Sequence, residues 1–120
     1  LVGRSMSPDK LHHAIDCLRS SDSLLYDEGY HMLQGEFLKL HLDTVIALCK
    51  KESNPVIRGR LIELLGDSGE PRVIPIIAEE LVSKEDEVRR WALRALDCLA
   101  TPDAQAIAAL HRSSHPEDGE

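Results

Sequence analysis

The sequence is poor in aromatic residues and has no long apolar run. Aromatic side chains make up 3% of its 120 residues, so a folded core must be built from aliphatic side chains. No apolar segment approaches the roughly 20 residues that cross a bilayer, and no secretory signal pattern opens the chain. These absences argue against a membrane protein and favour a cytoplasmic one.

Cysteine is also scarce. The chain has three cysteines, Cys17, Cys49 and Cys98, which lie far apart in the sequence. Their odd number and the lack of Cys-x-x-Cys spacing argue against a disulfide framework and a zinc ribbon. Each has apolar neighbours, where a free cysteine usually packs as a small hydrophobic residue. We therefore expect inert core thiols.

Basic residues are in the minority, with 14 Lys and Arg against 21 Asp and Glu and a net charge of -7. This balance disfavours nucleic-acid binding, which depends on neutralising phosphates. The hydrophobic content of 42% predicts one folded domain, which we place at 7–112. The segment 1–6 resembles an artificial, disordered extension ending at a native Met6, and the polar tail 113–120 is expected to fray.

The sequence is rich in residues that mark the starts of helices. Ser7-Pro8, Asn54-Pro55 and Thr101-Pro102 each combine a capping side chain with a proline at the first helical position. Apolar residues then recur at spacings of three and four. The predicted helices lie near 8–20, 23–34, 38–51, 54–66, 71–81, 86–100 and 102–110.

These helices repeat with a period of 31 residues. Ile57 corresponds to Val88, Arg58 to Arg89, and the same offset also aligns turn positions. Three units follow from it, near 23–53, 54–84 and 85–115, and one extra helix precedes them. So many matches at one offset indicate an internal duplication.

The second and third units carry a recognisable pattern. It consists of Asn54 to Arg58 and Glu85 to Arg89, then Leu65-Gly66-Asp67, and then Pro71 to Ile77. In this pattern the chain resembles HEAT repeats of the short bacterial, phycobilisome-lyase-like kind, well over 54–110 and weakly over 23–53. The resemblance implies an all-α fold, a short right-handed, armadillo-like α-solenoid of about three helical hairpins with an N-terminal cap helix.

Catalytic and metal-binding patterns are missing. The chain has no Gly-x-Ser-x-Gly elbow, phosphate-binding glycine loop or dinucleotide fingerprint. His111 and His115 have the i, i+4 spacing of metal ligands, but Pro116 and two serines place them in a fraying terminus. We regard His12 and His13 as surface groups. We therefore predict no enzyme, no metal site and no cofactor.

The remaining function is a non-catalytic scaffold or adaptor that binds a protein partner on a preformed surface. The alternative, taken from the resemblance alone, is an enzyme or enzyme subunit such as a bilin-lyase-like protein, and nucleic-acid binding ranks below both. The last helix, Ala104 to Leu110, is rather apolar and so covers the end of the repeat array poorly, which suggests packing against another copy or domain.

Charged residues supply the candidate sites. Arg58 and Arg89 occupy equivalent repeat positions, and we predict that they join neighbouring units through acceptors taken from Asn54, Glu85 and Asp67. The resemblance places a concave groove on the second helices, with exposed candidates at Asp43, Lys50, Glu79 and Glu80. Trp91 aligns with Arg60 and serves either as an interface anchor or as a packing residue. Its neighbours Arg90 and Arg94 complete the set of partner-binding candidates.

Overall fold

The computed structural model describes residues 8–118, which form eight α-helices and no strand. The predicted disorder of 1–6 falls outside these residues. Short 3-10 turns occupy Pro71–Val73, Glu80–Val82 and Pro116–Asp118. The helices are α1 Pro8–Leu18, α2 Ser23–Met32, α3 Gly35–Leu40, α4 Leu42–Lys51, α5 Pro55–Asp67, α6 Ile74–Glu79, α7 Asp86–Leu99 and α8 Pro102–Ser114.

The capped helix starts are present. The Asn54 side chain accepts hydrogen bonds from the amides of Val56 and Ile57, and Thr101 accepts one from Ala104. These bonds satisfy amides that have no partner inside the helix. Helices α5 and α7, and the segments that begin at Pro71 and Pro102, start 31 residues apart, as the sequence period requires.

Two predicted helices are interrupted. The segment 38–51 breaks at His41, whose amide donates to the carbonyls of Phe37 and Leu38 and closes α3 before α4 begins. The segment 71–81 forms a short α6 between two 3-10 turns. Pro75 has no amide hydrogen for the carbonyl of Pro71, so a regular α-helix cannot run through both prolines.

The first helices α5 and α7 pack side by side, and the second helices α4, α6 and α8 lie next to them. A Cβ atom on Gly66 would lie 2.9 Å from the Ala95 Cα atom, so only glycine permits this separation. The core between the helices is aliphatic, as the low aromatic content requires. Its largest buried side chains include Leu33, Leu38, Leu42, Ile62, Leu64, Leu65, Ile77 and Leu96.

Helix α1 covers the N-terminal end of the solenoid by packing on α2. The two backbones meet at Gly29, where a Cβ atom would lie 2.6 Å from the Ala14 carbonyl oxygen and 2.6 Å from the Leu18 amide nitrogen. Arg60 on α5 holds the end of α1 by donating to the carbonyls of Leu18, at 2.7 Å, and Ser20, at 3.0 Å. Within 8–118, no helix is both long and apolar enough to cross a membrane.

Most of residues 113–118, which the sequence predicts to fray, have helical structure. Helix α8 continues to Ser114, and a 3-10 turn follows. The Asp118 carboxylate accepts hydrogen bonds from Arg89 Nε, at 3.0 Å, and His111 Nε2, at 2.8 Å. Both donors hold the pKa of Asp118 below its ordinary value, Arg89 first. A charged anchor therefore orders a segment that is polar in sequence.

Asp118 makes stability depend on acid pH. Because its pKa is lower in the folded than in the unfolded state, the stabilisation is present above the unfolded pKa of about 4 and is lost as the pH falls through the folded value. We expect Asp118→Asn to cost about 1–2 kcal/mol at neutral pH and to flatten the fall in Tm between neutral and strongly acid pH, measured by circular dichroism. Glu117→Gln, an exposed neighbour, is the control, and an unchanged slope in Asp118→Asn would contradict the assignment.

Candidate protein-binding surface

Arg58 forms an ion pair within its own repeat and a hydrogen bond to the preceding one. Its guanidinium donates to both carboxylate oxygens of Glu80, at 2.9 and 2.8 Å, and to the carbonyl of Glu52 at 2.9 Å. Glu80 belongs to the same repeat, whereas Glu52 follows α4 of the preceding one. The expectation that Glu80 is exposed is wrong, because its pairing with Arg58 leaves it 5% exposed.

Arg89 repeats this arrangement with a different acid. It donates to the Ser83 carbonyl at 2.7 Å, as Arg58 does to Glu52, and each arginine reaches a carbonyl six residues earlier in the chain. The position equivalent to Glu80 holds His111, which cannot neutralise an arginine, and Asp118 supplies the carboxylate for both side chains. Arg89 also pairs with Asp86.

The side-chain hydrogen bonds of Arg58 and Arg89 do not go to the predicted acceptor side chains. Asn54 caps α5, and Glu85 is an exposed residue that precedes α7 and makes no side-chain capping bond. Asp67 accepts from the Tyr30 hydroxyl, next to a Tyr26 hydroxyl that donates to Glu63 at 3.3 Å. Sequence reasoning missed Glu80 and Asp118 as partners, because both lie more than twenty residues from the arginine they bind.

The candidates on the second helices do not form one cluster. Asp43 pairs with Arg72 at 2.6 Å, which links α4 to the start of the next second helix, and both side chains are solvent-exposed. Lys50 and Glu79 are also exposed, on α4 and α6. Their role in partner binding stays a prediction.

An apolar groove runs between α6 and α8, and we call it the α6–α8 groove. Its first part has a volume of about 480 Å³ and is lined by Pro71, Ile74, Pro75, Asp103, Ala106 and Ile107. Its second part, of about 280 Å³, continues from Ile107 to Leu110 and Val82. Val82 is 86% exposed and Leu110 is 69% exposed, so large apolar side chains lie open to solvent here.

The α6–α8 groove has an acidic end. Val82 also borders a cleft of about 280 Å³ whose charged lining consists of Glu52, Glu79, Glu80, Glu85 and Arg58. Glu79 and Glu85 are exposed, whereas Glu52 pairs with Arg19 and Glu80 with Arg58. An apolar surface therefore leads directly into a group of carboxylates.

Trp91 packs between the first helices. A Cβ atom on Gly59 would lie 2.4 Å from Trp91 Cδ1, so the ring covers this glycine. Trp91 Nε1 donates to Glu87 at 3.2 Å, and the Arg94 guanidinium lies 5.1 Å from the ring centre. These contacts favour the packing role for a half-buried ring. Arg90 and Arg94 are exposed and line a polar cleft of about 190 Å³.

The cysteines occupy different environments. Cys17 and Cys49 are buried, but Cys98 is exposed, which corrects the expectation of three core thiols. Burial raises the pKa of the Cys49 thiol to about 12, as expected of an inert packing residue. Cys98 lies on the outer side of α7, the first helix of the last hairpin, so its apolar neighbours do not enclose it.

The surroundings of His111, His115 and His13 differ from those expected from the sequence. His111 and His115 stack at 4.4 Å between ring centres, but His111 Nε2 is bonded to Asp118. Among the described residues, a group of metal-ligand type forms where α1 meets α2: His13, Cys17 and Glu28, with donor atoms within 4.8 Å of one another. The i, i+4 spacing of His13 and Cys17 is visible in the sequence, whereas Glu28 joins them only through helix packing.

The repeat architecture agrees with the comparison to protein families. A family model described as HEAT repeats matches residues 42–119, from α4 through α8, and this is more than half of the chain. The match is to HEAT repeats in general, so the finer bacterial, phycobilisome-lyase-like resemblance stays a prediction, and nothing in it favours the bilin-lyase alternative. No curated protein and no solved structure matches the chain. The chain belongs to the HEAT-repeat family.

Proposed function

We propose that this protein is a non-catalytic scaffold that binds an amphipathic helix of a partner protein in the α6–α8 groove. The observation that carries the proposal is the exposure of Val82 and Leu110 at the edge of a continuous apolar groove. HEAT repeats are commonly protein-interaction scaffolds, and solenoids bind partners on the extended surface that their stacked helices create.

The chemistry of the partner follows from the two ends of the groove. The apolar lining from Pro75 to Leu110 favours a helix face with apolar residues at i, i+3, i+4 and i+7. The carboxylates of Glu79 and Glu85 beyond Val82 favour lysine or arginine at one end of that helix. The net charge of -7 supports attraction of a basic segment over longer distances.

Preformed geometry supports a binding role. The groove is bordered by helices whose buried faces, including Ile77 and Ala108, are fixed in the core. A partner helix would therefore order only itself on binding, which lowers the entropic cost of association. Asp43 and Lys50 extend the same line of second helices beyond the groove and are candidates for weaker contacts at the rim.

Photo-crosslinking tests the proposal. A benzophenone amino acid at Leu110 is expected to crosslink, in a lysate of the source organism, to an amphipathic segment with basic flanks. The control is the same amino acid at Leu24, which is 78% exposed on α2 and lies outside the groove. Equal crosslinking from both positions, or crosslinking only to a second copy of this chain, would overturn the proposal; the second outcome would support self-association through α8.

A synthetic peptide of the crosslinked segment makes the test quantitative. In fluorescence anisotropy, Leu110→Asp is expected to weaken binding at least tenfold, about 1.4 kcal/mol, and Leu24→Asp to leave it unchanged. Glu79→Lys is expected to weaken binding and to reduce its salt dependence, because it removes an attractive charge. Circular dichroism checks that each variant is folded.

A further inference from the structure

We propose that His13, Cys17 and Glu28 form a Zn²⁺ site that fastens the N-terminal helix α1 to α2. The site is separate from the α6–α8 groove, and it lies before the residues that match the HEAT-repeat model. Its three donors come from two helices, so a bound ion would connect the cap helix to the first repeat.

The distances between the donor atoms fit a tetrahedral metal. His13 Nε2 lies 3.6 Å from Cys17 Sγ and 3.3 Å from Glu28 Oε2. With Zn–S bonds of about 2.3 Å and Zn–N and Zn–O bonds of about 2.0–2.1 Å, a tetrahedral site separates nitrogen from sulfur by about 3.6 Å and nitrogen from oxygen by about 3.3–3.4 Å. Both observed separations are close to the edges of such a tetrahedron, and the third pair, Cys17 Sγ and a Glu28 carboxylate oxygen, lies within 4.8 Å.

Hydrogen bonding alone serves this group poorly. One atom, His13 Nε2, faces both the thiol and the carboxylate, although it carries at most one hydrogen. A cation at the centre would give the imidazole nitrogen, the thiolate and the carboxylate one common partner. The thiol proton would leave to solvent as the Zn–S bond forms.

The donor set selects the metal. Thiolate and imidazole are ligands that zinc prefers, whereas Mg²⁺ and Ca²⁺ prefer oxygen ligands. The side chains of His13 and Glu28 are 58% and 53% exposed, so an ion can enter from solvent. With three protein ligands, water would complete the tetrahedron on this open side.

The backbone beneath the site is held in place without metal. Gly29 follows Glu28 directly, and at this glycine α2 touches the backbone of α1 between Ala14 and Leu18. Cys17 is buried in the same contact, and His13 lies one turn earlier on α1. The ligands therefore come from a rigid helix crossing, which lowers the cost of assembling the site.

Metal binding is tested with the full chain after removal of metal by a chelator and addition of Zn²⁺ or Co²⁺ alone. We expect one ion per chain by calorimetry, a Co²⁺–thiolate charge-transfer band, and a rise of several degrees in Tm with Zn²⁺. The absence of the thiolate band, or of any rise in Tm, would overturn the proposal.

Neighbouring residues supply matched controls. His13→Ala and Glu28→Gln, both at exposed positions, are expected to weaken Zn²⁺ binding at least tenfold, whereas His12→Ala, one residue away on α1, should leave it unchanged. Cys17→Ser should abolish the thiolate band, and Cys98→Ser should retain it. Equal effects of His12→Ala and His13→Ala, or loss of the band in Cys98→Ser, would contradict the assignment. The exposed variants keep the test decisive even if Cys17→Ser impairs folding.

Discussion

Arg58→Met is expected to lower the free energy of unfolding by about 3–5 kcal/mol, because it leaves the Glu80 carboxylate buried without its charged partner. Glu80 is almost fully enclosed, and its two oxygens both accept from Arg58. The variant also loses the bond from Arg58 to the Glu52 carbonyl, which connects the second repeat to the first. Urea unfolding followed by circular dichroism measures the loss.

An exposed ion pair provides the control for Arg58. Arg72 pairs with Asp43 at the surface, so Arg72→Met should cost no more than about 1 kcal/mol. The double variant Arg58→Met, Glu80→Leu should recover part of the lost stability, because it removes the isolated charge. Equal losses in Arg58→Met and Arg72→Met would show that the buried position of Glu80 carries no special energetic weight.

Gly29→Ala is expected to destabilise the protein by about 1–3 kcal/mol, because the new methyl group would overlap the α1 backbone. Helix propensity predicts the opposite sign, since alanine is favoured over glycine inside a helix by about 1 kcal/mol. The two effects are therefore separated by sign as well as size. Urea unfolding gives the total, and hydrogen exchange of the α1 amides shows whether this helix detaches first.

Gly59→Ala is the matched comparison for Gly29→Ala. It has the same gain in helix propensity, but its methyl group would meet the Trp91 ring, a side chain that can rotate away. We expect a smaller loss of stability than in Gly29→Ala. The loss caused by Gly59→Ala should be smaller still when it is measured in a Trp91→Ala background, where no ring meets the new methyl group. Stabilisation by Gly29→Ala would contradict the close approach of α1 and α2.

The helical repeats could be predicted because their signals are local and repeated. Asn54 with Pro55 and Thr101 with Pro102 mark helix starts through capping chemistry, and the 31-residue offset aligns Arg58 with Arg89. Pairing across the fold was not accessible in the same way. The sequence around Glu80 is that of an exposed acid, and it contains no sign of Arg58, which binds Glu80 from α5.

The candidate sites were harder to predict than the fold. The α6–α8 groove depends on how two helices with short apolar side chains are spaced, and single residues such as Val82 and Leu110 do not reveal whether a neighbour covers them. Only part of the group formed by His13, Cys17 and Glu28 can be inferred from the sequence, because His13 and Cys17 are one helical turn apart on α1. Its third member required the crossing at Gly29.

The arginine contacts between repeats have a consequence for how such a chain can grow. Arg58 and Arg89 each satisfy a carbonyl that ends the preceding hairpin. A duplicated hairpin would therefore carry its own arginine, which bonds to the carbonyl at the end of the preceding hairpin. The acid that pairs with this arginine can differ from copy to copy. Glu80 in one hairpin and Asp118 in the next record that divergence. Lengthening the array is thus chemically simple, because Glu80 lies in the same hairpin as Arg58 and would be copied with it.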